Sequence, residues 1–291
     1  MEISADLIAN AVLAGILLGG FYAAMTLGLT VSFGLLDIVN IAHPAFILTG
    51  AYIAYAVNSA FGMDPIVAGF LTSPLTFVAG VLLYLHYHHY FERSGDDSLR
   101  GLAFFFGVML IIEVSLILIF GVDYRTVQTA YQDAAPMIGS MTLPLRMVVP
   151  FIVAVTLVVL VQLFLSFTFF GRSVRAASQD RIALQLMAVN PTRLKAIAFG
   201  FSIALATVAG SLLIVIQPVE PSMMWLYVGV PFAICVLGGM GSIFGTLVAA
   251  LLLGVAESLT STIWGPSWSP ALAFCVLLFV IGFKPSGLFG R

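Results

Sequence analysis

The sequence predicts an all-α integral membrane protein, a polytopic helical bundle of about 8–10 transmembrane segments with some short or broken helices. Three observations carry that prediction. Of 291 residues, 61% are hydrophobic and only 8% are charged, with a mean hydropathy of +1.13, whereas a soluble domain is roughly a quarter charged. The apolar residues come in runs of about 20, the length that spans a bilayer as a helix, and not in the alternating runs of roughly ten that mark an outer-membrane barrel. Lys and Arg gather in a few connections between those runs, which is how a membrane protein sets its orientation.

The first spanning run is Ile8 to Leu27. The stretch before it, MEISADLIAN, carries two acids and no Lys or Arg, so the run is expected to stay as a helix and not to be cleaved as a signal. The chain then reads GLTVSFGLLDIVNIAHPAFILTGAYIAY from Gly28 to Tyr55, with Asp37, Asn40, His43 and Pro44 inside eight positions. Pro44 lacks an N–H and suits the first turn of a helix running from Ile41 to Val57, and Asn40 is placed to cap that turn. Asp37 and His43 are expected to bond backbone exposed at a break between two membrane segments, a break that also suits the edge of a translocation path.

Ile66 to Leu85 forms the third run and Leu102 to Gly121 the fourth. Between them, HYHHYFERSGDDSLR offers His86, His88, His89 and Glu92. Without a second ligand cluster it reads as a solvated loop with tyrosines at headgroup level more readily than as a metal site. The connection from Val122 to Arg146 is too short for a domain, and Met147 to Phe170 crosses next. The segment GRSVRAASQDRIALQLMAVNPTRLKAIAFGF follows, with Val174, Ile182, Leu184, Leu186 and Met187 apolar among Arg175, Asp180 and Arg181. Such a pattern is a short helix lying on the membrane face, as a lipid rest or a docking knob. It turns at Asn190 and Pro191.

Ala196 to Ile216, the short Tyr227 to Leu237, Ile243 to Ile263 and Ala271 to Phe283 complete nine segments. Gly15 with Gly19, and Gly241, Gly245 and Ala249, have the spacing that lets two helices approach closely. Gly238, Gly239, Gly241 and Gly245 together mark a hinge or tight crossing. Glu113 and Glu257 lie inside apolar runs, where an unpaired carboxylate is costly, so each is expected at a subunit interface, a watery cavity or a donor, as a pathway or a structural group. Cys235 and Cys275 are read as small core residues.

Arg93, Arg100, Arg172, Arg175, Arg181, Arg193, Lys195, Lys284 and Arg291 fall in regions expected to be cytoplasmic, leaving Arg125 and Arg146 outside. That places the N-terminus outside and the C-terminus inside, with an odd number of crossings. Residues 1–291 read as a single transmembrane domain. Lys195 and Lys284 are the chain's two lysines, and neither lies in a phosphate-binding GxxxxGK[ST] loop, so any ATP-driven machinery is expected on another chain.

GLTVSFGLLDIVNIAHPAFILTGAY, the segment beginning GRSVRAASQDRIALQLMAVNPTRLKA, the glycine-rich LGGMGSIFGTLVAALLLGVAES and the tail KPSGLFGR together resemble the inner-membrane permeases of branched-chain amino acid ABC importers, the LivH-type family. The four motifs are collinear over nearly the whole chain. Pro44 departs from the pattern, since many relatives carry Gly after the His.

The resemblance implies a permease of the inner (plasma) membrane that binds no cofactor itself and has no catalysis of its own. It implies a second homologous permease, two cytoplasmic ATPases that use ATP and Mg, and a periplasmic solute-binding protein; the bilayer surrounds the chain, and no nucleic acid is involved. It also implies that Ser178, Gln179, Asp180, Arg181, Ala183, Leu184, Met187 and Ala188, within a cytoplasmic loop of about 171–195, form the coupling helix that seats on an ATPase. The expected cargo is a branched-chain or other small amino acid, with urea, amides and aromatic acids open. The competing class is a stand-alone ion- or proton-coupled transporter or channel using Glu113, Glu257 and Asp37. A membrane enzyme would need a nucleophile or metal constellation that the sequence does not offer.

Overall fold

A computed structural model describes residues 5–36, 38–91, 97–138, 141–179, 190–284 and 286–290. Nine helical segments among them are long and apolar enough to cross a membrane, matching the nine runs expected. Helix α1 is Ala5–Leu29, α2 His43–Phe61, α3 Pro65–Tyr90, α4 Asp97–Phe120 and α5 Leu145–Phe167. The amphipathic α6 is Phe169–Gln179, followed by α7 Pro191–Ile216, α8 Gly229–Gly238, α9 Ile243–Trp264 and α10 Ser269–Phe283. A 3-10 turn, Pro221–Tyr227, leads into α8, and the two together make one crossing. The β-structure is slight: Met137–Ile138 pairs with Met141–Thr142, and Arg125 bridges Val219.

Local chemistry sets the ends. Asp64 accepts the Ile66 N–H at 2.9 Å and precedes Pro65, and Asn190 accepts the Arg193 N–H at 3.2 Å and precedes Pro191. Each pair supplies a capping oxygen and a residue with no N–H to waste. Inside α3, Pro74 leaves the Phe70 carbonyl without its usual donor, and the Ser73 hydroxyl donates to it at 2.8 Å. In hydrocarbon that repair matters, because no water reaches the carbonyl.

Helix α7 is the centre of the bundle, packed by α1, α2, α3 and α5. Its contacts are made through small residues. A Cβ at Gly210 would lie 1.9 Å from the Ile47 carbonyl oxygen of α2, one at Gly50 2.4 Å from the Thr207 carbonyl, and one at Gly80 2.9 Å from the Gly200 Cα. The backbones therefore touch, gaining dispersion contacts that lipid chains would otherwise supply. Gly15 and Gly19 do the same for α1 against α9, where Val255, Leu251 and Gly254 face them.

Several expectations need correction. Helix α1 does not stop at Leu27: it runs to Leu29 and continues as a π turn, Thr30–Gly34, with the Thr30 and Ser32 hydroxyls bonding carbonyls of the preceding turn. His86, His88 and His89 lie in α3 and not in a loop, and Tyr84 and Tyr87 beside them are buried against Phe91, Phe104, Phe105 and Phe199. Glu92 lies outside the described residues. Gly241 belongs to the turn before α9, so the spacing Gly241, Gly245, Ala249 is not a single helical face, and α9 meets α1 through Ala250 and Gly254 instead. Cys235 is buried, but Cys275 is exposed on the outside of the chain, because apolar neighbours signal lipid as readily as core.

Candidate functional site

Four places carry the polar chemistry. The first is the elbow between α1 and α2. Asn40 and His43 are both 0% exposed. Asn40 does not cap α2: the cap position falls to Ala42, whose side chain bonds nothing, while Asn40 offers only its backbone carbonyl to the His43 N–H at 3.2 Å. The turn is short, so the residue before His43 takes the place that the spacing assigned to Asn40. Pro44 does occupy the first turn. The His43 Nε2 meets the Met25 carbonyl at 2.9 Å, a carbonyl inside α1 and not on irregular backbone. Asp37 lies outside the described residues.

The second place gathers α1, α7, α9 and the 3-10 turn. The Tyr22 hydroxyl donates to Glu257 Oε2 at 2.7 Å, and the Gln217 amide donates to the Tyr227 hydroxyl at 2.5 Å. Phe21 sets its ring against Tyr22 and Tyr227 at 5.8 and 6.5 Å. A half-buried carboxylate thus holds a phenol donor in an aromatic wall, an arrangement suited to a cationic or hydrogen-bonding solute group. Sequence reasoning found Glu257 but missed Tyr22, Gln217 and Tyr227. Tyr22 and Glu257 are 235 positions apart, and no local pattern joins them.

The third is Glu113 on α4. The Trp225 Nε1–H points at both its oxygens, at 3.0 and 3.1 Å, and Trp225 is 44% exposed. Phe106 packs edge-on to the indole at 6.1 Å. This carboxylate faces outward from the bundle. It does not join Glu257.

The fourth is the glycine turn between α8 and α9. Gly239 and Gly241 take φ of +95° and +82°, which only glycine adopts without strain. Gly238 backs onto Gly245, Gly241 onto Gly34 of the π turn, and Gly239 onto Gly290. The Leu288 and Phe289 N–H groups donate to the Leu237 and Gly238 carbonyls at 2.8 and 3.2 Å. The turn thereby ties α1, α8, α9 and the tail together.

On the amphipathic segment, α5 breaks at Thr168 and α6 starts at Phe169, so the chain leaves the crossing two residues earlier than Gly171. A Cβ at Gly171 would strike the Leu165 backbone at 2.3 Å, and the Arg175 guanidinium donates to the Leu165 carbonyl. Val174 is buried while Arg172 points out. Ser178 and Gln179 end α6; Asp180, Arg181, Ala183, Leu184, Met187 and Ala188 lie outside the described residues.

At the end of the bundle where α2 meets α3, the Tyr131 hydroxyl donates to Asp64 Oδ2 at 3.0 Å. Burial, and then the Asp64 charge, push the Tyr131 phenol well above its usual range. Among the described residues, no three His, Cys, Asp or Glu side chains are grouped as metal ligands.

The protein family described as branched-chain amino acid transport system / permease component matches residues 11–281. The high-affinity branched-chain amino acid transport system permease protein LivH of Escherichia coli (strain K12) is 27% identical, over 95% of this chain and 94% of its own. The permease protein BraD of Pseudomonas aeruginosa is 26% identical with the same coverage. The permease protein LivM of Salmonella typhimurium is 27% identical over 92% of this chain and 67% of its own. No solved structure matches.

Proposed function

The chain belongs to the permease components of branched-chain amino acid transport systems, and from that premise we propose that it forms half of the translocation path of an ABC importer for a branched-chain or similar small amino acid. The observation that carries the reading is the family match over 11–281 on a bundle of nine spanning segments. The matched relatives are transport-system permeases, which favours the importer over a stand-alone carrier. The protein is a multi-pass membrane protein, and the charge distribution supports an N-terminus outside and a C-terminus in the cytoplasm.

The partner set follows from the same reading. Both LivH- and LivM-type permeases match the chain, which supports a heteromeric pair. Glu113 supports it too: although the Trp225 indole donates to it, the pair is only partly covered, and an acid at a helix centre costs about 3 kcal/mol beside lipid, so a second permease would cover it to advantage. Two ATPases would carry ATP and Mg, and a periplasmic protein would deliver the solute. Residues Ser178 to Ala188 would seat on an ATPase, so that closure of the ATPase pair rocks the permeases between inward- and outward-facing states. Along the path, Glu257 with Tyr22 and Tyr227 would meet the ammonium of an amino acid. Asp37 would edge the path at its other end, with Asn40 and His43, both fully buried, organising the elbow behind it.

Purification of the tagged chain in mild detergent, with mass spectrometry of what remains bound, tests the assembly. Recovery of an ATPase pair and a second permease is expected; recovery of this chain alone, moving solute in liposomes without ATP, refutes it. Asp180→Arg or Ala183→Trp should abolish ATP-dependent uptake with membrane insertion intact, and normal uptake would remove the docking role from this segment.

A further inference from the structure

Many interior hydroxyls of the described residues are paired, although Tyr52 Oη, Thr129 Oγ1 and, among the nitrogens, Arg125 Nε are not. Thr30 meets Thr246 at 2.9 Å, Thr207 meets Thr76 at 2.9 Å, and Ser202 donates to the Gly28 carbonyl at 2.6 Å. The elbow between α1 and α2 is different. Asn40 is fully buried, and both Nδ2 and Oδ1 lack a partner; the buried Nδ1 of His43 and Oγ1 of Thr26 lack one as well. Buried groups left unpaired are expensive, and an amide with nothing on either atom is rare.

The kind of partner these atoms require can be worked out. The Met25 carbonyl can only accept, so His43 Nε2, at 2.9 Å from it, carries the ring proton. In the neutral ring Nδ1 is then a lone pair that needs a donor. Asn40 Oδ1 needs a donor too, while Asn40 Nδ2 needs an acceptor. A carboxylate cannot donate to Nδ1. A metal cation or an ammonium cannot accept from Nδ2. Water does both, and a buried water is stable when it finds two to four such partners.

We propose that the α1–α2 elbow is an internal hydration site, in which ordered water bonds Asn40, His43 Nδ1 and Thr26. The site lies beside the π turn, where Gly28 brings α1 onto both His43 and Ser202 of α7. Water there completes a seam that the side chains leave open. It also lets the seam exchange hydrogen bonds without exposing the core to bulk solvent.

Hydroxyl-radical footprinting by pulsed X-rays tests this, because radicals made from a bound water label the side chains beside it. The full chain in lipid nanodiscs is exposed and digested for mass spectrometry. His43, whose Nδ1 is one of the unpaired atoms, is 0% exposed, and the buried rings of Phe105 and Phe199 serve as controls. Corrected for intrinsic reactivity, His43 should label several-fold faster than Phe105 and Phe199. Asn40→Leu should bring His43 down toward the control rate; if that variant does not fold, Thr26→Val is the substitute and should lower it by a smaller factor. Equal rates at His43, Phe105 and Phe199 in the unaltered protein overturn the site, as does labelling of His43 unchanged in both variants.

Discussion

Gly210→Ala is the sharpest test of how this bundle is held. The added Cβ would sit 1.9 Å from the Ile47 carbonyl oxygen and 2.7 Å from the Ala51 nitrogen. Ordinary contact begins at 3.4 Å, so α2 and α7 must separate by about 1.5 Å. Both obstacles are backbone, and no rotamer change relieves them. Overpacking a rigid site usually costs about 1–3 kcal/mol, and the upper end is expected here because α7 touches α1, α3 and α5 as well. About 3 kcal/mol corresponds to a fall in Tm of about 6 °C or more. The assay is thermal unfolding in one detergent, read by fluorescence size-exclusion, with Gly107→Ala as the matched control. A Cβ at Gly107 meets nothing within 4 Å, so that change should stay within about 1 kcal/mol of wild type. Equal Tm values for the two variants would refute the claim that backbone contact at α2–α7 carries stability.

Tyr22→Phe removes the donor that holds Glu257 and should cost about 1–2 kcal/mol in Tm measurements; Glu257→Gln should raise the amino-acid concentration for half-maximal uptake more than it lowers the maximal rate. Ser73→Ala should cost about 1 kcal/mol because the Phe70 carbonyl freed by Pro74 loses its donor, and in a Pro74→Ala background, where the backbone N–H returns, the same change should cost nothing. The raised phenol of Tyr131 binds its proton more tightly in the folded chain, so the Tyr131–Asp64 contact stabilises fully below the ordinary phenol value of about 10 and is lost as pH rises through the folded value. A pH–Tm profile should therefore decline above about pH 10 more steeply than that of Tyr131→Phe.

The crossings were legible because length and hydropathy are dictated by the bilayer itself, but Asn190 and Pro191, read as a turn, cap and start α7 five residues before Ala196, where the apolar run begins. The lateral arrangement was not. In a bilayer the outside of the protein is as oily as its inside, so Cys275 and Cys235 have the same kind of neighbours and opposite exposure. The polar run at His86 to Tyr90 looked like a loop by composition, yet Tyr84 and Tyr87 pack against Phe105 and Phe199 and keep α3 helical through it. Gly241 has the spacing of a helix face but a positive φ, which spacing does not reveal. The bonds from Tyr22 to Glu257 and from Trp225 to Glu113 join distant parts of the chain; sequence could say that each acid needs a donor but not which one.

The strap formed by Leu288 and Phe289 has a practical consequence. These residues lie hydrogen-bonded along the end of α8, with the Phe289 ring 5.5 Å from Phe244 and Gly290 against Gly239. An affinity tag or fluorescent fusion attached there without a spacer would load its drag onto the turn that also abuts the π turn of α1. A label for transport assays is better joined after Arg291 through a flexible linker of about ten Gly/Ser residues.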